Sequence, residues 1–277
     1  MSSQQYSPSG FSLLPPVVKN LLIINGLFFL ATFSLQNVYG IDLAKILGLY
    51  YFRSDLFNPY QFVTYMFIHA DFQHILYNMF ALWMFGYLLE NVWGSKRFLT
   101  FYLLTGIGAA ITQMLVNYFH FYSIDSAAFA MSQAPSVEAF SGFVKDYFPQ
   151  YFSNEGTIRN FISSWSLSPN DPAFAKQSIE YIHQLIKMGM DVPTIGASGA
   201  VYGILLAFGM MFPNMLVYIY FLFPIKAKWI VILYGAIELF SGFSNNPNDN
   251  VAHFAHLGGM IFGFFLIIYW RKKSHIF

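Results

Sequence analysis

The sequence predicts an all-α polytopic membrane protein with six apolar spans and a long helical insert between the third and fourth. Three observations predict it. The chain is 56% hydrophobic and only 10% charged, where a soluble domain carries roughly 25% charged residues. Several stretches exceed the ~18 uncharged apolar residues that a lipid-crossing helix needs. Lipid offers the backbone no hydrogen-bond partners, so such stretches must cross it as helices. The net charge of +1 points away from nucleic acid as a partner, and the absence of cysteine excludes disulfides, thiol catalysis and Cys-ligated zinc.

The polar start, residues 1–16, is expected to be a short cytoplasmic tail. It has no basic n-region, and the first apolar segment begins only after Lys19, so it does not read as a signal peptide. The membrane domain is expected over residues 17–270. Its first span runs from about Val17 to Leu35, followed by a loop, Gly40 to Pro59, of mixed charge. Gln61 to Val92 is too long for one straight span. Asp71 divides it into a semi-buried lead-in, Tyr60 to Ala70, and a second span, Phe72 to Asn91. After the basic turn Gly94-Ser95-Lys96-Arg97, the third span covers Phe98 to Phe119.

The insert, residues 121–193, reads as helical pieces separated by breakers. Ser136 is a candidate cap for a helix with the apolar stripe Val137, Phe140, Val144 and Phe148. Asp171-Pro172 is a second cap followed by a favoured first-turn proline, ahead of the stripe Ile179, Ile182 and Ile186. Such pieces suit a membrane surface or the flank of the spans. A solvated loop with weak helices is the alternative. The fourth span is Ile195 to Phe212, Asn214 to Pro224 reads as an interfacial loop, and the fifth span is Lys228 to Phe243. After a turn at residues 244–250, the sixth span is Val251 to Trp270. Residues 271–277 form a basic cytoplasmic tail.

Basic residues orient the chain. With a cytoplasmic amino terminus, Lys19, Lys96, Arg97, Lys226, Lys228, Arg271, Lys272 and Lys273 all fall inside, and Asp42, Asp55, Asp71 and Asp249 fall outside with the insert. Both termini are therefore expected in the cytoplasm, and the spans in a bacterial cell membrane. Spans two, four and six then all begin at the outer face. His74 and Asn78 lie in the first turns of span two, Ser198 in the first turn of span four and His256 in the second turn of span six, so all four share one depth. Gly199, Gly203 and Ala207 on span four, and Gly259 and Gly263 on span six, form small-residue ridges that permit close helix approach.

A serine hydroxyl becomes a useful nucleophile when a base within hydrogen-bond reach takes its proton. His256 is the candidate base for Ser198. Glu238, the only acid deep in spans four to six, lies toward the middle of span five, so the expectation is a dyad without an orienting carboxylate. Donors for a developing oxyanion are expected from the Ser198 backbone amide at a helix start, together with His74 and Asn78. Tyr202, one turn below Ser198, is expected to pack on the His256 ring.

These residues carry a resemblance to the rhomboid family of intramembrane serine proteases. The matching runs are His74-Ile75-Leu76-Tyr77-Asn78, Gly196-Ala197-Ser198-Gly199 with Tyr202, and Ala255-His256-Leu257-Gly258-Gly259 with Gly263. Glu90 to Ser95 also resembles the family's turn after span two. Any one run is weak; the three in order are highly specific. The resemblance implies Ser198 as nucleophile, His256 as base, and an oxyanion hole of His74, Asn78 and the Ser198 amide. It also implies transmembrane protein substrates cut near the outer face of the lipid bilayer, with no cofactor. Where many members carry a Trp-Arg pair in the first outer loop, this chain has Tyr60-Gln61.

Three other readings compete. His253, three residues before His256, suggests a metal site with His74 or His69, but the zinc-protease signature His-Glu-x-x-His is absent and no metal is expected. An inactive rhomboid-like factor would bind membrane proteins without cutting them, and such relatives usually lack the serine or the histidine. A transporter would explain intramembrane polar residues, yet no inverted repeat is visible.

Overall fold

The computed structural model describes residues 11–152, 156–219, 222–244 and 251–273. The first ten residues of the expected tail, the turn at 245–250 with Asp249, and the tail residues 274–277 lie outside the described residues. The chain is mostly helical: α1 (Pro16–Tyr39), α2 (Leu43–Leu47), α3 (Gln61–Thr64), α4 (Phe72–Trp93), α5 (Ser95–Gln133), α6 (Val137–Tyr147), α7 (Thr157–Leu167), α8 (Pro172–Met190), α9 (Ser198–Met211), α10 (Ala227–Phe243) and α11 (His253–Lys273). Among the described residues, α1, α5 and α11 are long and apolar enough to cross a membrane, and α9 is a shorter apolar helix.

The helices α4, α5, α9 and α11 share a core that includes Leu82, Leu89, Phe98, Phe101, Tyr102, Ile204 and Phe208. Around it, α1 exposes Leu27, Leu30 and Phe33, and α10 exposes Trp229, Ile232, Leu233 and Phe240. An apolar rim of this kind is a liability in water and suits a lipid environment. The amino terminus of α1 has no side-chain cap of its own. Glu90, buried near the end of α4, substitutes: its carboxylate accepts from Val17 N at 2.9 Å and Val18 N at 2.8 Å, and Ser95 Oγ donates to it at 2.6 Å. One acid thus satisfies the orphan amides of one helix and fixes the turn between two others. That turn is made at Gly94, whose φ of +78° lies in the region that side chains avoid.

Two sequence-based expectations need correcting. The helix that carries the expected third span does not stop at Phe119. It continues as one helix through the expected start of the insert to Gln133, because no glycine or proline interrupts it between Gly108 and Pro135. Proline then bars Ala134 from helical geometry. The segment Asn214 to Pro224 is not a plain loop. Leu216–Ile219 (β1) pairs antiparallel with Phe223–Lys226 (β2), Leu216 opposite Lys226 and Tyr218 opposite Pro224, as branched and aromatic residues favour.

The insert is no weakly structured loop. Ser136 caps α6 by accepting from Ala139 N at 3.1 Å, and Asp171 caps α8 by accepting from Ala173 N at 2.9 Å. Phe140, Val144, Phe161, Trp165, Ile182 and Ile186 build a second core, completed by Phe121 and Ile124 of α5 and by Tyr51 of the loop before α3. Tyr51 stacks on Phe121 at 4.9 Å between ring centroids. Arg53 pairs with Asp125 at 2.5 Å, Lys187 with Asp55 at 2.7 Å, and Ser54 Oγ donates to Asp191 at 2.6 Å. The same loop is held from the other side by the buried Gln61. Its Oε1 accepts from Asn58 N at 3.1 Å and Tyr50 N at 3.3 Å, and its Nε2 donates to Leu56 O at 2.9 Å.

Candidate active site

The approach to Ser198 is extended and clamped before the helix begins. Leu49 and Thr194 exchange backbone hydrogen bonds of 2.9 and 2.8 Å, and Gly196 N donates to Tyr65 O at 2.9 Å. Gly196 adopts φ +122°, and a Cβ built there would lie 2.7 Å from His74 Nε2. The His74 ring therefore occupies the space that a side chain at 196 would need. Helix α9 then starts at Ser198, so the backbone N–H of that residue belongs to the first turn, which has no intrahelical acceptor.

The small-residue ridges of α9 and α11 face each other. A Cβ on Gly259 would sit 1.8 Å from Gly199 O, and one on Gly263 would sit 3.4 Å from Gly203 O. The other side of the α9 ridge abuts α5, where a Cβ on Gly199 would meet Ala109 at 2.4 Å. This close approach brings a short side chain on α9 to an imidazole on α11. His256 Nε2 lies 2.7 Å from Ser198 Oγ. Tyr202 stacks flat on the His256 ring, with centroids 4.3 Å apart and planes 6° from parallel.

Glu238 of α10 reaches this cluster, which corrects the expectation that no carboxylate would. Its Oε2 lies 2.6 Å from His253 Nδ1 and 2.9 Å from His256 Nδ1, and Tyr202 OH donates a short hydrogen bond to its Oε1. The contact with His256 is close, yet that buried nitrogen makes no hydrogen bond among the described residues. The reach was readable from position. Glu238 lies five residues before the end of α10, about 8 Å at 1.5 Å per residue. That is the depth of the first turns of α11, where His253 and His256 sit.

His74 and Asn78 lie one turn apart on α4. Asp71 caps that helix by accepting from His74 N at 2.8 Å. Ala70 N donates to His74 Nδ1 at 3.4 Å, which assigns the ring proton to Nε2, the nitrogen facing Gly196. His74 thus presents an N–H donor beside Ser198. Asn78 is buried, and its Nδ2 donates to His74 O at 2.9 Å. His69 packs edge-on against His74, 5.0 Å between centroids, and burial with the neighbouring imidazole pushes it down to about 4. It is held neutral.

The sequence suggests His253 and its neighbour His256 with His69 or His74; the third member found is a different residue. His253 and His256 instead gather with Glu238, their ligand atoms within 4.8 Å of one another. The arrangement offers a hydroxyl beside a basic nitrogen, an N–H donor from His74 and a helix amino terminus. These are the parts that acyl transfer requires.

Comparison with known proteins identifies the family. A family model described as Rhomboid domain matches residues 57–137 and 126–273, together well over half of the chain. The chain is 33% identical over 94 residues to Rhomboid-like protein 11, chloroplastic, of Arabidopsis thaliana, an alignment that takes in 33% of this chain. It covers 34% of that relative, so the chain spans about a third of the length of the curated relative it matches. With its apolar helices and this match, the chain is an integral membrane protein that belongs to the rhomboid family.

Proposed function

We propose that the chain is an intramembrane serine endopeptidase that cleaves transmembrane proteins near the outer membrane face. The observation that carries this reading is the 2.7 Å contact between Ser198 Oγ and His256 Nε2 at the start of α9. In this reading six helices span the bilayer, α1, α4, α5, α9, α10 and α11, and both termini are cytoplasmic. The basic residues gathered at Lys96, Arg97, Lys226, Lys228 and Arg271 to Lys273 support that orientation.

In the reaction, Ser198 Oγ attacks the scissile carbonyl carbon while its proton passes to His256 Nε2. The carbonyl oxygen becomes an oxyanion, met by the Ser198 amide, His74 Nε2–H and Asn78. Collapse breaks the C–N bond, and Nε2–H delivers the proton to the departing amine. Water then loses a proton to Nε2 and attacks the ester. Breaking the ester C–O bond frees the new carboxyl product, and Nε2–H returns its proton to Oγ, restoring Ser198 and neutral His256. Helical substrate amides are already hydrogen-bonded, so the substrate must unwind locally to offer its carbonyl. Lateral access beside α10 fits the exposure of Phe240 and Phe243 on that helix.

The test uses purified protein in lipid vesicles with a membrane-anchored reporter and a serine-reactive fluorophosphonate. Wild-type protein cleaves the reporter and is labelled on Ser198. Ser198→Ala and His256→Ala each abolish cleavage with the fold retained. Cleavage by either purified variant would refute the reading.

A further inference from the structure

The proposed reaction uses Ser198, His256 and the oxyanion donors, and leaves Glu238 without a role. Yet Glu238 is 5% exposed, far below the usual accessibility of a carboxylate, on a helix whose neighbouring apolar side chains face outward. Among the described residues, each polar contact it makes leads back to the site: Tyr202, which stacks on His256; His253, one turn from His256; and His256 itself.

The proton arrangement on His256 gives these contacts a meaning. For Nε2 to accept from Ser198, the ring must be neutral with its proton on Nδ1. That Nδ1–H is buried, and an acceptor must stand near it. Glu238 Oε2 stands 2.9 Å from Nδ1, whose ring is held flat against Tyr202. Apo sites often hold such contacts out of line and tighten them when substrate is bound. Tyr202 and His253 donate to the same carboxylate from two other directions, which fixes where its oxygens lie.

We propose that Glu238 is a positioning residue for His256, completing a Ser198–His256–Glu238 chain in which the third member is carried on α10. Its carboxylate holds the imidazole in the Nδ1–H form and faces the charge that develops when Nε2 takes the serine proton. The carboxylate stays ionised throughout; the protons that move pass through Nε2, and Nδ1 keeps its own. The proposal rests on Ser198 and His256 acting as described above. It adds that the base is correctly held only while α10 lies against α9 and α11.

The experiment measures kcat and KM on the membrane-anchored reporter, and the rate of fluorophosphonate labelling of Ser198, in wild-type protein and in Glu238→Gln. The amide keeps the shape and removes the charge. Both kcat and the labelling rate are expected to fall roughly 10- to 100-fold, with KM within about twofold and the melting temperature held. Glu238→Asp keeps the charge and is expected to recover part of the labelling rate. It also serves as the readout should Glu238→Gln fail to accumulate. An unchanged labelling rate in Glu238→Gln overturns the proposal, as does a loss confined to KM or one that tracks a lowered melting temperature. Wild-type protein that neither labels on Ser198 nor cleaves would instead overturn the proposed function.

Discussion

Gly196 carries two constraints at one position. Its φ of +122° strains any side chain, and the space beside it is taken by His74. A methyl group there costs about 1–3 kcal/mol in backbone strain and pushes the His74 donor off the site. Gly196→Ala is therefore expected to fold, with fluorophosphonate labelling and reporter cleavage slowed roughly 100-fold, the scale of one lost oxyanion donor. Normal turnover in that variant would count against His74 as a donor. Residue identity was readable here where chemistry restricts the choice. Ser198, His256, His74 and Tyr202 stand out as polar groups at one depth, and the structure brings them together. The alignment of Glu238 with them was less legible, because its depth must be counted from the outer end of span five. Gln61 shows a different limit. Nothing in its sequence context announces that one amide side chain holds residues 50, 56 and 58 of the loop before α3 together.

At the scale of elements, the contact between α9 and α11 decides whether the site exists. A Cβ on Gly259 would fall 1.8 Å from a backbone carbonyl oxygen, which cannot swing aside as a side chain can. Gly259→Ala is expected to force the helices apart at a cost of about 1–3 kcal/mol. Both the melting temperature and the Ser198 labelling rate should fall; a variant with wild-type values for both would remove the contact from the account. The ridge itself is visible as glycines at four-residue spacing, but sequence does not say which helix faces it. Caps are local and so were legible: Ser136 and Asp171 each accept from a nearby first-turn amide. The cap of α1 was not, because its acceptor, Glu90, is more than 70 residues away in the chain. The length of α5 was obscured by composition. Polar residues enter the sequence after Phe119 while helical propensity continues unbroken to Pro135.

On the scale of the whole molecule, the described residues form two cores that α5 joins. At 39 residues, α5 is about 58 Å long, nearly twice the ~30 Å of a bilayer's hydrocarbon layer. One half packs in the helical bundle and the other contributes Phe121, Ile124 and Met131 to the insert. The ion pairs Arg53–Asp125 and Lys187–Asp55 are exposed, and such pairs contribute about 0–1 kcal/mol. The buried stack of Tyr51 on Phe121 is the stronger tie. Phe121→Ala is expected to destabilise the insert by about 3–5 kcal/mol and to open residues 134–172 to limited proteolysis. Lys187→Ala should leave the digestion pattern unchanged. Equal sensitivity of the two variants would show that charge, not packing, seats the insert.

The glycine pair at 199 and 259 also separates two kinds of inheritance. A descendant of this chain that lost the serine hydroxyl would shed its chemistry and still need both hydrogens where a methyl group cannot go. Persistence of the pair therefore testifies to ancestry of shape, and only the hydroxyl with its imidazole partner testifies to a living enzyme.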